Sequence, residues 1–204
     1  EEYFEGETSW YPESYGELEE FRRRLFGAQL AMLKDALRVL PPSETEDVQP
    51  FRMLDVGGAF GFWPLVVLED TEVQEILKKK GRVLEMSAVG DISSYALQKA
   101  GEINGRRGID RVQLNVQKAL PFRDGAFDVV TCFDTLDHTL DPEQSMREMS
   151  RVLKPGGLML ATVPISDRKF LGRLDVDMTH WSIPSTKKML ELLRNSGLSL
   201  IKAI

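Results

Sequence analysis

Short apolar segments of the kind that form β-strands alternate with segments of helical pattern along most of this chain. An alternation of this kind folds into a doubly wound α/β structure, in which a mostly parallel sheet is covered by helices on both faces. The segments that we predict to be strands are residues 51–56, 82–90, 112–116, 127–133 and 158–163. Ligands of such sheets bind beyond the carboxyl ends of the strands, so a site is expected in the loops that follow the first four strands.

Helical patterns precede, separate and follow these strands. Residues 17–40 are amphipathic and end at Pro41-Pro42, and residues 43–50 are a polar linker. The other predicted helices are residues 61–80, interrupted near Pro64 and again near residues 69–71, and residues 93–107, 142–153 and 185–195. We also expect a turn at residues 154–157 and a last strand at 198–204. Because 204 residues suffice for one core, we expect an N-terminal irregular segment and helix at 1–42 and one α/β domain at 51–204.

The composition argues against several classes of protein. The chain carries 26 basic and 32 acidic residues, a net charge of -6, and no evident basic face, so no nucleic-acid partner is expected. No apolar run approaches the roughly 18 residues of a membrane span, and the acidic start is unlike a signal peptide. Cys132 is the single cysteine and there are 2 histidines, so we expect neither an intrachain disulfide nor a metal site. We expect a cytoplasmic protein, and the absence of a starting Met indicates a trimmed chain.

A glycine-containing loop follows the first predicted strand. It reads Asp55-Val56-Gly57-Gly58-Ala59-Phe60-Gly61 and leads into a helix. Glycines let the backbone approach a ligand, and the free N–H groups of a helix start favour an anionic group, although a simple tight turn has the same pattern. A dinucleotide fingerprint that begins at Gly57 needs a small residue where Phe62 stands, and the chain has no Gly-Lys-Ser/Thr sequence of a P-loop. A nucleotide-binding oxidoreductase is therefore disfavoured.

Four blocks of sequence, taken together and in this order, resemble the class I S-adenosylmethionine-dependent methyltransferases. The blocks are residues 54–61 (LDVGGAFG), residues 120–130 (LPFRDGAFDVV), Leu136-Asp137-His138 with Asp141-Pro142, and Arg147-Glu148 with residues 151–157 (RVLKPGG). They cover about residues 51–164. The resemblance implies a Rossmann-like class I methyltransferase fold with an N-terminal helical cap. The chain departs from the family at Ala59, where the motif has glycine, and in a longer helical segment after Gly61.

The resemblance also implies S-adenosylmethionine as the cofactor and suggests which residues bind it. The predicted cofactor residues are Asp55, Gly57, Gly58, Ala59, Gly61, Asp91, Ile92, Asn115, Val116 and Asp134. An acidic residue after the second strand would accept hydrogen bonds from the ribose hydroxyls, and we favour Asp91 over Glu85, although Asp91 could instead be only a helix cap. Asn115 could form a hydrogen bond with the adenine, and Val116 could pack on its ring. Alternatively, the two residues could simply form the polar end of a strand.

The loop after the fourth strand would line the transfer site. His138 is a candidate general base because an unperturbed imidazole pKa lies near ~6.5, although a lone histidine is more often structural. Asp134 is a second candidate, and Asp137 could orient a substrate. For His180-Trp181-Ser182 we favour a packed loop over a substrate contact. The aromatic residues Tyr3, Trp10, Tyr11 and Phe21 could form a lid or could pack the N-terminal helix onto the domain.

The sequence thus predicts an enzyme that moves a methyl group to a small-molecule acceptor by direct in-line displacement. The protein would contribute mainly the proximity and alignment of the two reactants. The alternative is a catalytically inactive protein that binds the cofactor and acts as a regulator or partner, which Ala59 and the unusual second strand motivate. The acceptor would be selected by the N-terminal segment and by residues 164–184. The family fold closes with a hairpin and Ile204 lies in its first strand, so either the last strand is absent from the fold or the chain is cut short. A homo-oligomer could cover the exposed edge.

Overall fold

The computed structural model of the chain describes residues 18–105, 107–167 and 180–203, with side chains of the first helix described from Phe26 onward. Its five strands form one sheet in the order β3-β2-β1-β4-β5. Every strand pair in this sheet is parallel. The strands are β1 (Gln49–Val56), β2 (Arg82–Asp91), β3 (Ile109–Gln113), β4 (Phe127–Phe133) and β5 (Leu153–Thr162). The α/β fold class expected from the sequence is confirmed.

Six α-helices lie among the described residues. They are α1 (Leu18–Val39), α2 (Phe62–Glu69), α3 (Thr71–Lys79), α4 (Ser94–Asn104), α5 (Pro142–Val152) and α6 (Thr186–Asn195). A short 3-10 helix (Leu136–His138) follows β4. None of the helices in the described ranges combines the length and the apolar character that crossing a membrane requires.

The sheet has a hydrophobic core on each face. Met53 of β1 belongs to the core that contains Leu37 of α1 and Leu65 of α2, whereas Leu54 belongs to the core that contains Met146 and Met149 of α5. Successive side chains of a strand point to opposite faces, so the apolar run of β1 serves both cores. All of these side chains are at most 1% exposed. The helices therefore cover both faces, as doubly wound sheets require.

Pro64 does not interrupt a helix, although the sequence suggested that it does. It is the third residue of α2, where a backbone N–H would have no intrahelical partner, so its missing donor costs nothing. The second expected interruption is confirmed, because α2 ends at Glu69 and α3 begins at Thr71. Asp70 caps α3 by accepting a hydrogen bond from the backbone N–H of Val73 at 2.8 Å.

Three strand predictions need correction. The third strand is Ile109–Gln113, not residues 112–116, because Asn115 Oδ1 accepts the N–H of Gln117 at 2.9 Å and turns the chain. The fifth strand begins at Leu153 and includes the residues expected to form a turn, with a register shift between its pairings to Phe127 and Val129. Residues 198–203 form no strand. The N–H of Leu198 instead bonds to the carbonyl of Leu193 at the end of α6.

Two of the sequence blocks contact each other directly. Arg151, from the RVLKPGG block, donates hydrogen bonds to the carbonyls of Leu120 (3.0 Å) and Phe122 (2.9 Å), in the LPFRD block. Glu148 pairs with Arg151 at 2.7 Å and accepts the N–H of Leu120 at 2.8 Å. These bonds fasten α5 to the segment that leads into β4, so both blocks act as one structural unit.

Candidate functional site

A cavity of about 870 Å³ opens at the carboxyl ends of the strands. Residues from the loops after β1, β2, β3 and β4 line it, together with Phe26 and Gln29 of α1. The predicted cofactor residues all line this cavity except Gly61. The loops converge there because the strands are parallel and all their carboxyl ends meet at the same edge.

The loop after β1 is closely packed. A Cβ atom on Gly57 would lie 2.1 Å from Oγ1 of Thr135, and one on Gly58 would lie 2.2 Å from Oδ2 of Asp55. Only glycine fits at either position, so the backbone itself forms the wall of the cavity. Gly61 has a different role. It precedes α2 with φ 71°, and its own Cβ would meet Asn104 rather than the cavity.

Ala59 has φ 45°, in the left-handed region that favours glycine. A residue with a methyl group fits such a loop without strain only at negative φ, and Ala59 does not meet that condition. Its backbone N–H donates a hydrogen bond of 2.9 Å to Oδ2 of Asp91, and this bond holds the strained conformation. Ala59 thus keeps the loop shape that glycine would give, at a cost in strain.

Asp91 lies at the end of β2, inside the cavity. Its side chain is buried, and its Oδ1 accepts the N–H of Ser93 at 2.8 Å. Ser93, not Asp91, caps α4. Burial raises the pKa of Asp91, and the bonds from the Ser93 and Ala59 N–H groups oppose that rise. The rival residue, Glu85, does not line the cavity; its carboxylate is 49% exposed and pairs with Arg52 at 2.8 Å.

Asp55 lies at the floor of the same cavity. It is 2% exposed and accepts a hydrogen bond from Oγ1 of Thr131 at 2.7 Å. Burial raises the pKa of Asp55 to about 7, the charge of Asp91 adds to the rise, and the Thr131 bond opposes it. A neutral Asp55 is therefore readily formed close to the buried Asp91.

The remaining predicted cofactor residues lie along the rim. Asn115 and Val116 follow β3, and the side-chain oxygen of Asn115 already accepts the N–H of Gln117. Ile92 lines the cavity although its side chain is largely exposed. Asp134 ends β4 with φ 47° and accepts a 3.0 Å hydrogen bond from Oγ1 of Thr162.

Asp137, His138 and His180 meet at another side of the cavity. Nε2 of His180 lies 3.0 Å and Nε2 of His138 lies 3.9 Å from Oδ2 of Asp137. Asp137 is 1% exposed, and burial raises its pKa while the two histidines oppose the rise. Its backbone carbonyl accepts the N–H groups of Trp181 and Ser182 at 2.8 and 2.9 Å. His180 therefore lines the cavity instead of only packing a loop, whereas the Trp181 side chain is 67% exposed.

An aromatic wall was missed by the sequence reading. The ring of Trp63 lies 5.6 Å from that of Phe26 and 5.1 Å from that of Phe133, centroid to centroid, and all three line the cavity. The amphipathic pattern of residues 17–40 predicted a helix with one apolar face, but it did not indicate that Phe26 reaches a ligand site. Tyr3, Trp10 and Tyr11 of the expected lid, and the side chain of Phe21, lie outside the part of the chain that is described.

The cavity lies where the strand order changes direction, because β1 has β2 on one side and β4 on the other. A glycine loop and a buried carboxylate from neighbouring strands line it side by side and are joined by a hydrogen bond. This combination defines a Rossmann-like α/β domain with a candidate ligand site at the switch point.

Comparisons with known proteins show what the chain is similar to. A family model described as "Methyltransferase domain" matches residues 71–161. The 2-methyl-6-phytyl-1,4-hydroquinone methyltransferase 2 of Oryza sativa subsp. japonica is 25% identical over 152 residues, which are 74% of this chain and 40% of that protein. The ubiquinone/menaquinone biosynthesis C-methyltransferase of Pseudoalteromonas translucida (strain TAC 125) is 37% identical over 90 residues, 42% of this chain and 34% of that protein.

The fold is also similar to that of a solved structure. The crystal structure of the YcgJ protein from Bacillus subtilis superposes with a TM-score of 0.65 at 20% identity, over 85% of this chain and 69% of that one. The chain is thus similar to methyltransferases, over residues 71–161 in the family model. It spans well under half the length of the curated relatives that it matches.

Proposed function

We propose that this chain binds S-adenosylmethionine in the cavity and transfers its methyl group to a small-molecule acceptor by direct displacement. The observation that carries the proposal is Asp91, a buried carboxylate at the end of β2 that lines the cavity and bonds directly to the Ala59 N–H of the glycine loop. A carboxylate accepts hydrogen bonds only, so its two oxygens suit a pair of neighbouring hydroxyls such as those of ribose.

The residues present fit the cofactor. The backbone at Gly57 and Gly58 forms a cradle that any Cβ would fill, and the cavity has the size of small-molecule sites, which span about 300–1,000 Å³. Asp91 would hold the ribose, Asn115 and Val116 would contact the adenine, and the glycine loop would hold the amino-acid end. When bound, the cofactor supplies a methyl group on a positively charged sulfur.

The charge of the cavity supports the same proposal. Four carboxyl groups line it, those of Asp55, Asp91, Asp134 and Asp137, and no lysine or arginine is among its described lining residues. Such a lining attracts cations and suits a ligand that carries a sulfonium and an ammonium group. It would disfavour the negatively charged phosphates of a dinucleotide.

The acceptor is proposed to be a small molecule with an aromatic, oxygen-bearing ring. The wall of Phe26, Trp63 and Phe133 offers faces and edges for ring stacking. The rice relative is named for a hydroquinone substrate, which has this chemistry. In this arrangement the chain contributes alignment and the exclusion of water, while the catalytic roles of His138 and Asp134 stay predictions.

Calorimetric titration with S-adenosylmethionine and S-adenosylhomocysteine tests the proposal. We expect micromolar binding to the unaltered chain, and a loss of about 100-fold in Asp91→Ala because charge-assisted hydrogen bonds are removed. Glu85→Ala is the matched control from the same strand and should leave the affinity unchanged. Absence of binding by the unaltered, folded chain would refute the cofactor assignment.

A second assay separates an enzyme from an inactive cofactor-binding protein. The chain is incubated with S-adenosylmethionine and a panel of hydroxylated aromatic compounds, and release of S-adenosylhomocysteine is measured. Turnover with any of them supports the enzyme, whereas cofactor binding with no turnover across the panel supports the inactive alternative.

The rice relatives are chloroplastic by name, so cytoplasmic location stays a prediction. The absence of a nucleic-acid partner and homo-oligomerisation also stay predictions.

A further inference from the structure

Asp137, His138 and His180 bring three ligand atoms of metal-binding type to one place. One oxygen of Asp137 and one ring nitrogen of each histidine all lie within 4.8 Å of one another. The histidine rings meet edge to face, with centroids 4.8 Å apart. All three residues line the cavity. Two of them belong to the 3-10 helix after β4 and the third precedes α6, so tertiary structure alone assembles the group.

Asp137 carries a buried carboxyl group that a cation would stabilise. The carboxyl group is 1% exposed, and its Oδ1 has no hydrogen-bond partner among the described residues. Its ion-pair partners among the described residues are His180 at 3.0 Å and His138 at 3.9 Å, which carry a charge only when protonated. A buried charge is costly unless a counter-charge or a metal compensates it. Asp134 adds a further negative charge nearby.

We propose that Asp137, His138 and His180 form a binding site for a divalent transition metal ion at the acceptor side of the cavity. Two imidazoles and one carboxylate are the ligand set of sites for Zn²⁺, Fe²⁺ and related ions. Three protein ligands leave at least one coordination position for another molecule, and the cavity provides access to it.

The proposed metal site would also restrict which acceptors can bind. An oxygen of the acceptor, as a hydroxyl or its anion, would occupy the open position on the metal, which lowers the pKa of that hydroxyl and fixes its place. This part of the inference rests on the proposed methyltransferase function, whereas metal binding itself does not. His138 and His180 would then act as metal ligands rather than as proton acceptors.

Titration with ZnCl₂ tests the site in the full chain without an affinity tag, after dialysis against a chelator. We expect one ion per chain with micromolar or tighter affinity. Asp137→Asn, His138→Gln and His180→Gln should each weaken binding by at least about tenfold, since each removes a ligand. Asp134→Asn is the control for simple charge attraction and should change the affinity by less than about threefold. Equal affinity in the ligand variants and the unaltered chain would overturn the proposal.

Nuclear magnetic resonance gives a readout that does not depend on any variant. The chain has 2 histidines, so each imidazole C–H signal can be assigned to one of two residues. Zn²⁺ should shift the signals of both histidines together, and movement of neither or of one alone would contradict the site. Binding of S-adenosylhomocysteine, measured in the same metal-free and metal-loaded samples, shows separately whether the cofactor site is intact. Loss of one kind of binding without the other distinguishes the two proposals.

Discussion

At the scale of single residues, the loop after β1 combines positions that demand glycine with one that lacks it. Gly58 has no room for a Cβ, because Asp55 and Val89 would lie 2.2 and 2.6 Å away. Ala59 has room for its methyl group but adopts φ 45°. Packing therefore constrains position 58, whereas backbone conformation constrains position 59.

Ala59→Gly should stabilise the chain slightly. Relief of left-handed strain is worth about 1–2 kcal/mol, and the greater entropy of glycine in the unfolded chain offsets about 0.4–1 kcal/mol of it. Urea unfolding should show a net gain of up to about 1 kcal/mol. Gly58→Ala is the contrasting variant and should destabilise the chain. A loss of stability in Ala59→Gly would show that the alanine conformation is unstrained.

Asp55 should make stability depend on pH. Its folded pKa of about 7 lies above the ordinary aspartate value of 3.8, so the folded state retains a proton that the unfolded state releases. The stabilisation is present at low pH and is lost as pH rises through this window, by up to about 1.4 kcal/mol per unit. Asp55→Asn should flatten this slope in urea unfolding measured across the window. Glu44→Gln, at an exposed position, should retain it.

At the scale of elements, the strongest polar connection described here joins α5 to the segment before β4. Arg151 donates to two carbonyls and pairs with Glu148 and Asp124. These partners raise the pKa of Arg151, and the pairing lowers the pKa of Glu148. The planar guanidinium suits several partners at once, which lysine cannot match.

Arg151→Ala should therefore destabilise the chain by about 2–3 kcal/mol, since it leaves two carbonyls and a carboxylate without their donor. Arg147→Ala is the matched control on the same helix. Arg147 is 54% exposed and pairs with Glu143 one turn away, so its loss should cost less than about 0.5 kcal/mol. Urea unfolding measures both. Similar losses in the two variants would show that Arg151 contributes no more than a surface pair.

At the scale of the whole molecule, the parallel sheet gathers loops that are distant in sequence around one cavity. The walls come from α1 as well as from the loops after β1, β2, β3 and β4. A ligand in such a place contacts most layers of the domain at once. Its binding free energy should therefore add to the stability of the complete fold.

S-adenosylhomocysteine at a hundredfold excess over its Kd should stabilise the chain by about 2.7 kcal/mol, which raises the Tm of a domain of this size by about 5–10 °C. Thermal unfolding followed by circular dichroism measures the shift. NAD should give no shift, because the lining is acidic and Phe62 disrupts a dinucleotide fingerprint. A shift with NAD alone would favour the oxidoreductase that the sequence disfavours.

Much of the fold could be predicted because it depends on local patterns. The bounds of β4 were predicted without error, and the helices predicted at 142–153 and 185–195 begin within one residue of α5 and α6. The third and fifth strands were misplaced because an Asx turn and a register shift decided where pairing begins and ends. Residues 198–203 have strand propensity but no strand partner in the described part of the chain, and propensity alone does not form a sheet.

The sequence by itself determined the order of strands and helices along the chain, the glycine loop and the resemblance to methyltransferases, since periodicity, caps and motifs lie within short stretches of chain. Only the tertiary structure decided that Asp91 rather than Glu85 faces the cavity. Asp91 stands at the end of β2, where the cavity opens, whereas Glu85 lies within the strand and does not line the cavity. The tertiary structure alone brought Asp137, His138 and His180 together. Two histidines distant in sequence become one cluster when the segments after β4 and before α6 pack at the same sheet edge.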